Sequence, residues 1–237
     1  AREIELLHRF EHDHGLSMQH PYNFTRFAED LDRLVNMAGL ISPVLVGASL
    51  GGLATLCSEV ARTTACAVVL VDVTPKLEMK GVTRITSFMS STASKGFESI
   101  EEAALEIAKY NPKRSKGDSS LAGVKSLLRQ RKSDGRWTWR WDPNFLGPMP
   151  TEEGLLYTEC FIMQQARHVR CPVLLVRGQQ TDVVSMDGVQ QLLDAVPQAK
   201  FVDVREAGHM VAGDVNDVFA EEVVRFLRGI EIERSRL

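Results

Sequence analysis

The chain has 237 residues, enough for one sizeable domain or for one domain carrying a moderate insertion. Hydrophobic residues make up 44% and charged residues 25%, an ordinary balance for a soluble globular protein. A formal net charge of −3 gives no electrostatic reason to expect nucleic acid or an anionic membrane as a partner, and the short basic stretches Lys113–Lys116 and Arg129–Lys132 read as solvated faces or loops.

No apolar run approaches the roughly 18 residues that a membrane span needs. Glu3 and Glu5 stand where a signal peptide would place apolar residues, so a cytoplasmic location is expected. Cys57, Cys66, Cys160 and Cys171 lack CxxC spacing and read as reduced packing residues.

In chain order, residues 2–12 read as an amphipathic helix through Ile4, Leu7 and Phe10. A second helical pattern covers Phe24 to Ala38. The apolar run Pro43 to Gly47 follows, then a helix over Leu53 to Arg62 and the run Ala67 to Val73. Later come the run Pro172 to Gly178, a helix over Asp187 to Val196, a shorter strand at Lys200 to Val204, and a helix striped by Val215, Val218, Phe219, Val223, Phe226 and Leu227. Continuous rather than alternating apolar runs mark strands buried on both faces, as in a parallel sheet. The βαβα order predicts a doubly wound α/β domain. Residues 76–169 interrupt it with helical patterns at Ile100 to Tyr110 and Leu121 to Arg131 and read as a helical insertion over the end of the sheet, leaving 1–75 and 170–237 as the core.

The central chemical signal is Gly47, Ala48, Ser49, Leu50, Gly51, Gly52. A buried strand ends at Gly47 and a helix begins just after Ser49, the setting in which a tight turn lifts a serine hydroxyl out of the sheet. Small residues at Gly47 and Gly51 would let the neighbouring backbone approach the turn. The helix N-terminus, with the Leu50 N–H, supplies a donor for an oxyanion. A serine hydroxyl needs a base, and His209 sits in the loop between the last short strand and the final helix. The base needs a carboxylate, for which Asp182, in the loop after Pro172 to Gly178, is the candidate; Asp72, at the end of the second strand, is its rival, and Asp187 reads as a helix cap. Trp137, Trp139 and Trp141 alternate, so an extended segment puts all three rings on one face, either as the wall of a substrate pocket or as the insertion's own core. The histidines from His8 to His14 complete no zinc spacing, and no metal or other cofactor is expected.

The order Ser49, Asp182, His209, with a helical insertion between the second strand and the acid, resembles the α/β-hydrolase superfamily. His14 to Ser17 resembles that family's His-Gly turn, Phe27 to Leu31 the helix before the nucleophile strand, and Ala207 to Met210 its catalytic histidine loop. The resemblance implies a helical lid and a serine esterase or lactonase acting on a small ester or lactone through an acyl-enzyme. Ser49 separates the chain from relatives that use an aspartate nucleophile. Ala48 stands where many members have a histidine. Only 13 residues precede His14, so the family's earlier strands and the glycine-rich loop that gives a second oxyanion donor have no counterpart in this reading. The expectation is an N-terminally truncated sheet, an edge at strand Val44–Val46 that is exposed, paired with another chain or covered by the first helix, and an esterase that is slow at best. The alternative from another class is a non-catalytic or weakly catalytic scaffold that binds a small ligand under the lid.

Overall fold

The computed structural model describes residues 22–110, 121–147 and 151–234. The expected helix of residues 2–12, the histidines from His8 to His14 and the turn at His14 and Gly15 lie outside the described residues. In chain order the elements are α1 (Phe24–Met37), β1 (Val44–Ala48), α2 (Leu50–Cys57), α3 (Glu59–Thr63), β2 (Ala67–Val71), α4 (Met79–Ala93), α5 (Ile100–Tyr110) and α6 (Leu121–Ser126). They continue with β3 (Leu128–Gln130), β4 (Trp137–Trp139), a 3-10 turn (Pro143–Phe145), α7 (Glu152–Ala166), β5 (Val173–Gly178), α8 (Met186–Ala195), β6 (Ala199–Val204), α9 (Val211–Asp214) and α10 (Asn216–Arg234).

The chain divides into two units, residues 1–79 with 150–237, and residues 80–149. The first holds a sheet in the order β1-β2-β5-β6, parallel throughout. β2 and β5 are buried at every position, which is why their sequences run apolar without alternation. Paired residues of a parallel sheet share a face, and on one face Ala67, Val69, Val71, Leu174 and Val176 form a core with Phe226 and Ile230 of α10. On the other face Gly47 lies against the start of α2. Helix α7 packs against α2 and α8 and so belongs to this unit. That moves the insertion's end back from the expected residue 169, because Ile162, Met163 and Ala166 are buried in the first unit.

Among the described residues β1 is an edge strand. Its inward positions Leu45 and Gly47 are buried, whereas Val44 and Val46 are 37% and 57% exposed. Helix α10 contacts β5 and β6, leaving those two valines to solvent.

The expected helix Leu53 to Arg62 is two helices. Ser58 breaks it by adopting extended backbone and capping α3, its Oγ accepting the Ala61 N–H at 3.3 Å. Asp32 of α1 completes that cap from outside: its carboxylate accepts the Ser58 hydroxyl and the backbone N–H groups of Glu59 and Val60, the latter two at 2.9 and 3.1 Å. Two orphan donors of one helix are thereby satisfied by its neighbour.

The second unit has its own core of Phe97, Ala103, Ile107, Val124 and Leu128. The helix expected to run from Leu121 to Arg131 stops at Ser126, since Leu128 to Gln130 pair antiparallel with Trp137 to Trp139. Gly135, at φ 73°, turns this hairpin, and the Arg131 guanidinium beside Asp134 holds its carboxyl down to about 2. Among the described residues no helix is long and apolar enough to cross a membrane. All four cysteines are free thiols, and burial pushes the Cys57 thiol up to about 12.

Replacing Asp32 by Ala removes the acceptor that ties α3 to α1. The expected cost is about 1–2 kcal/mol, read as a fall of about 2–8 °C in the thermal midpoint with little change in native circular dichroism. An unchanged midpoint would show that water serves this helix end equally well.

Candidate active site

Ser49 directly follows β1 and adopts φ 49°, ψ −123°, a region rarely used by a residue with a side chain. The conformation is over-determined by its surroundings. The Ser49 N–H donates to Val71 O at 3.1 Å, and the Ser49 carbonyl accepts the N–H groups of Gly52 and Leu53 at 2.9 and 3.2 Å. The turn closes by backbone against backbone. A Cβ on Gly47 would lie 2.6 Å from both Gly51 O and Gly52 Cα, and one on Gly52 would lie 2.4 Å from Val73 Cγ1. Gly51 meets nothing within 4 Å. The two glycines that the turn requires are therefore Gly47 and Gly52, not Gly47 and Gly51. The N–H groups of Leu50 and Gly51 stand at the start of α2, ahead of its first hydrogen-bonded turn, where a helix has donors to spare.

β2 pairs with β1 in register through Ala48 and Val71, so the next residue of the second strand, Asp72, emerges beside Ser49. Asp72 takes φ 47° and is fully buried. Its N–H donates to Val176 O at 2.7 Å, and its carboxylate is enclosed by donors. Oδ1 accepts the Gly178 N–H at 2.9 Å, while Oδ2 accepts the Thr181 hydroxyl at 2.6 Å and lies 2.7 Å from His209 Nδ1. The other ring nitrogen of His209, Nε2, is 3.1 Å from Ser49 Oγ. A carboxylate only accepts, so Nδ1 carries the proton and Nε2 presents its lone pair to the serine hydroxyl.

Here the sequence expectation is corrected. Ser49 and His209 meet as anticipated, but the carboxylate on the imidazole is Asp72 and not Asp182. Asp72 and Ser49 occupy both ring nitrogens, which leaves Asp182 no place on the imidazole. Asp182 is half-buried in the loop beyond β5. Its neighbour Thr181, which no sequence pattern singles out, is the loop residue that reaches the site.

The histidine loop is brought in by another close backbone approach. A Cβ on Gly178 would lie 2.1 Å from Gly208 O and 2.8 Å from Ala207 O, so the end of β5 must be glycine for His209 to stand where it does. The loop after Gly178 is anchored by its own hydrogen bonds, Gln179 N–H to Val204 O and Gln180 N–H to Ala207 O, both 2.9 Å. Arg177 pins its far end, with Nε donating to Val184 O at 2.9 Å and Nη1 paired to Asp203 at 2.8 Å.

The three tryptophans belong to the second unit. Trp137 and Trp139 pack on its core, and Trp139 Nε1–H donates to Thr92 Oγ1 at 2.9 Å. Trp141 lies past the end of β4 and stacks on Trp139 with ring centroids 6.5 Å apart. Two of the three rings thus serve the insertion's own packing. Among the described residues no group of three or more His, Cys, Asp or Glu is placed to hold a metal ion.

Comparison with known proteins adds to this geometry. A family model described as the alpha/beta hydrolase family matches residues 10–222. A 3-hydroxybutyrate-oligomer hydrolase of Cupriavidus necator is 22% identical over 197 residues, covering 79% of this chain and 66% of that protein, so the chain spans just under two thirds of this relative's length. Among solved structures, an E-2-(acetamidomethylene)succinate hydrolase superposes with a TM-score of 0.70 at 21% identity, covering 94% of this chain and 85% of the other. An esterase of Mycobacterium tuberculosis superposes at 0.68 and 23% identity, covering 90% and 70%. These likenesses carry the fold, and the family match over most of the sequence carries membership: the chain belongs to the alpha/beta hydrolase family.

Proposed function

We propose that the chain is a serine hydrolase of small esters or related carbonyl compounds, with Ser49 as nucleophile, His209 as base and Asp72 as the carboxylate that orients it. The observation that carries this reading is the single imidazole held between two partners, 3.1 Å from the Ser49 hydroxyl and 2.7 Å from a fully buried carboxylate. The names of similar proteins, which include an esterase, a thioesterase domain and an oligomer hydrolase, support acyl transfer to water as the reaction class.

In this mechanism Ser49 Oγ attacks the carbonyl carbon while its proton passes to His209 Nε2. The resulting imidazolium is stabilised by the Asp72 carboxylate across Nδ1–H. The Leu50 N–H at the start of α2 faces the oxyanion, with the helix dipole adding to it. His209 then protonates the leaving alkoxide; a water molecule that gives its proton to His209 attacks the acyl-enzyme, and His209 returns that proton to Ser49 Oγ as the acid is released. All steps use groups of this chain and water. A lactone would follow the same path with the leaving group still attached.

A fluorophosphonate probe is expected to label Ser49 alone, and His209→Ala to remove the labelling, both read by tryptic mass spectrometry. Labelling elsewhere, or labelling that survives without His209, would leave the chain as a ligand-binding scaffold of the same fold.

The two aspartates separate cleanly. Asp72→Asn is expected to lower kcat on p-nitrophenyl acetate by about 10⁴-fold, since an amide at that place favours the wrong imidazole tautomer. Asp182→Asn is expected to stay within about threefold of the original chain, because no ring nitrogen is left for it. A reversed order of effects would return the acid to Asp182.

A further inference from the structure

We infer that Thr181 is a positioning residue of the catalytic machinery, setting the proton affinity of His209 through the oxygen of Asp72 that the two side chains share. The inference rests on the proposed serine-hydrolase reading for its meaning, but the geometry stands independently.

Asp72 Oδ2 receives two donors, the Thr181 hydroxyl at 2.6 Å and His209 Nδ1–H at 2.7 Å. Its other oxygen receives the Gly178 N–H at 2.9 Å. The carboxylate is fully buried, so these donors replace the water that would otherwise solvate it. The Thr181 hydroxyl is itself oriented, because its oxygen accepts the Val183 N–H at 3.2 Å and its proton is thereby directed at Asp72.

A donor on Oδ2 withdraws charge from the atom that faces the imidazole. Two consequences follow. The proton of the imidazolium formed during the reaction stays on Nδ1 rather than passing to a more basic Asp72. The carboxylate also pulls less strongly on the Nδ1 proton than it would without that donor, so losing the hydroxyl tightens the hold of Asp72 on the protonated ring. The Thr181 hydroxyl meets the triad at Asp72 Oδ2 and acts through that oxygen.

Other charged groups near this network are accounted for. Arg177 and Asp203 are paired with each other, Asp182 follows Thr181 in the same loop, and Arg205 and Glu206 are exposed beyond β6. α2 contributes Cys57 as its titratable group, and β1 contributes none. None of these changes when Thr181 is replaced.

The test follows the His209 ring by nuclear magnetic resonance across a pH titration and does not require turnover. In Thr181→Val, which keeps the volume and loses the hydroxyl, the ring's titration midpoint is expected to rise by about half a unit to one unit, a threefold to tenfold gain in proton affinity for one lost hydrogen bond. Thr181→Ser is expected to match the original chain, and Thr181→Cys, a weaker donor, to fall between. The acid limb of kcat/KM on an activated ester should move by the same amount. Thermal melts identify any variant that fails to fold, and if Val does so, the Ser and Cys pair still decides. Equal midpoints in folded variants with and without the hydroxyl would overturn the inference, even if the melts differ. Absence of fluorophosphonate labelling in the original chain would instead overturn the hydrolase reading and leave the titration result standing.

Discussion

A full carboxylate sits where no water reaches it, and much of the chain is arranged to keep it there. Asp72 is held by a backbone N–H from the end of one strand, a hydroxyl from the following loop and an imidazole from a loop some thirty residues further on. An unmet acceptor at such a position costs on the order of 1–3 kcal/mol or more when it is charged. The three donors must therefore arrive together. Gly178 is the point at which they are coordinated: its N–H bonds Asp72, and its missing side chain lets residues 207 and 208 approach closely enough to deliver His209.

The sheet supplies the rest. Parallel pairing of β1, β2 and β5 brings the C-terminal ends of three strands side by side, so Ser49, Asp72 and Gly178 emerge at one edge although 129 residues separate the first from the last. Two of these residues leave their strands with positive φ, Ser49 at 49° and Asp72 at 47°. Each departure turns a side chain sharply away from the strand direction, and each is held by a backbone hydrogen bond to the adjacent strand. Strain at these two points is tolerable because the fully buried strands β2 and β5 beneath them have little freedom to relax.

Much of this was legible in the amino-acid sequence. Apolar runs locate β1, β2, β5 and β6 to within a residue or two at their boundaries, and in β2 and β5 the run is unbroken because burial on both faces leaves no room for polar alternation. Ser49 and His209 follow from a glycine-flanked strand-to-helix turn and from a lone histidine in a late loop. The acid was not legible in the same way. Asp72 and Asp182 both follow strands, and those strands are neighbours; the choice between them depends on the left-handed turn at Asp72 and on how the 178–185 loop folds back, neither of which has a periodic signature. Thr181 was hidden for the same reason, because its partner lies 109 residues away. The alternating tryptophans did mark a shared environment for Trp137 and Trp139. Their pattern could not say whether that environment was a pocket wall or the packing of the second unit. Ser58 shows a different limit: an apolar helical stripe continued across it, while the capping carboxylate that makes the break favourable came from another helix.

The glycines around the nucleophile divide in a way that bears on how such sites diverge. Gly51 completes the pattern by which this kind of serine is usually noticed, yet it faces open space and has an ordinary backbone conformation. Gly52, one position outside that pattern, cannot carry a side chain without striking Val73. Descendants of this sequence are thus free to vary at the residue that a motif search demands and constrained at one that it ignores. Some working members of such a lineage would then be passed over by the pattern, and some chains that match it would lack the packing on which the turn depends.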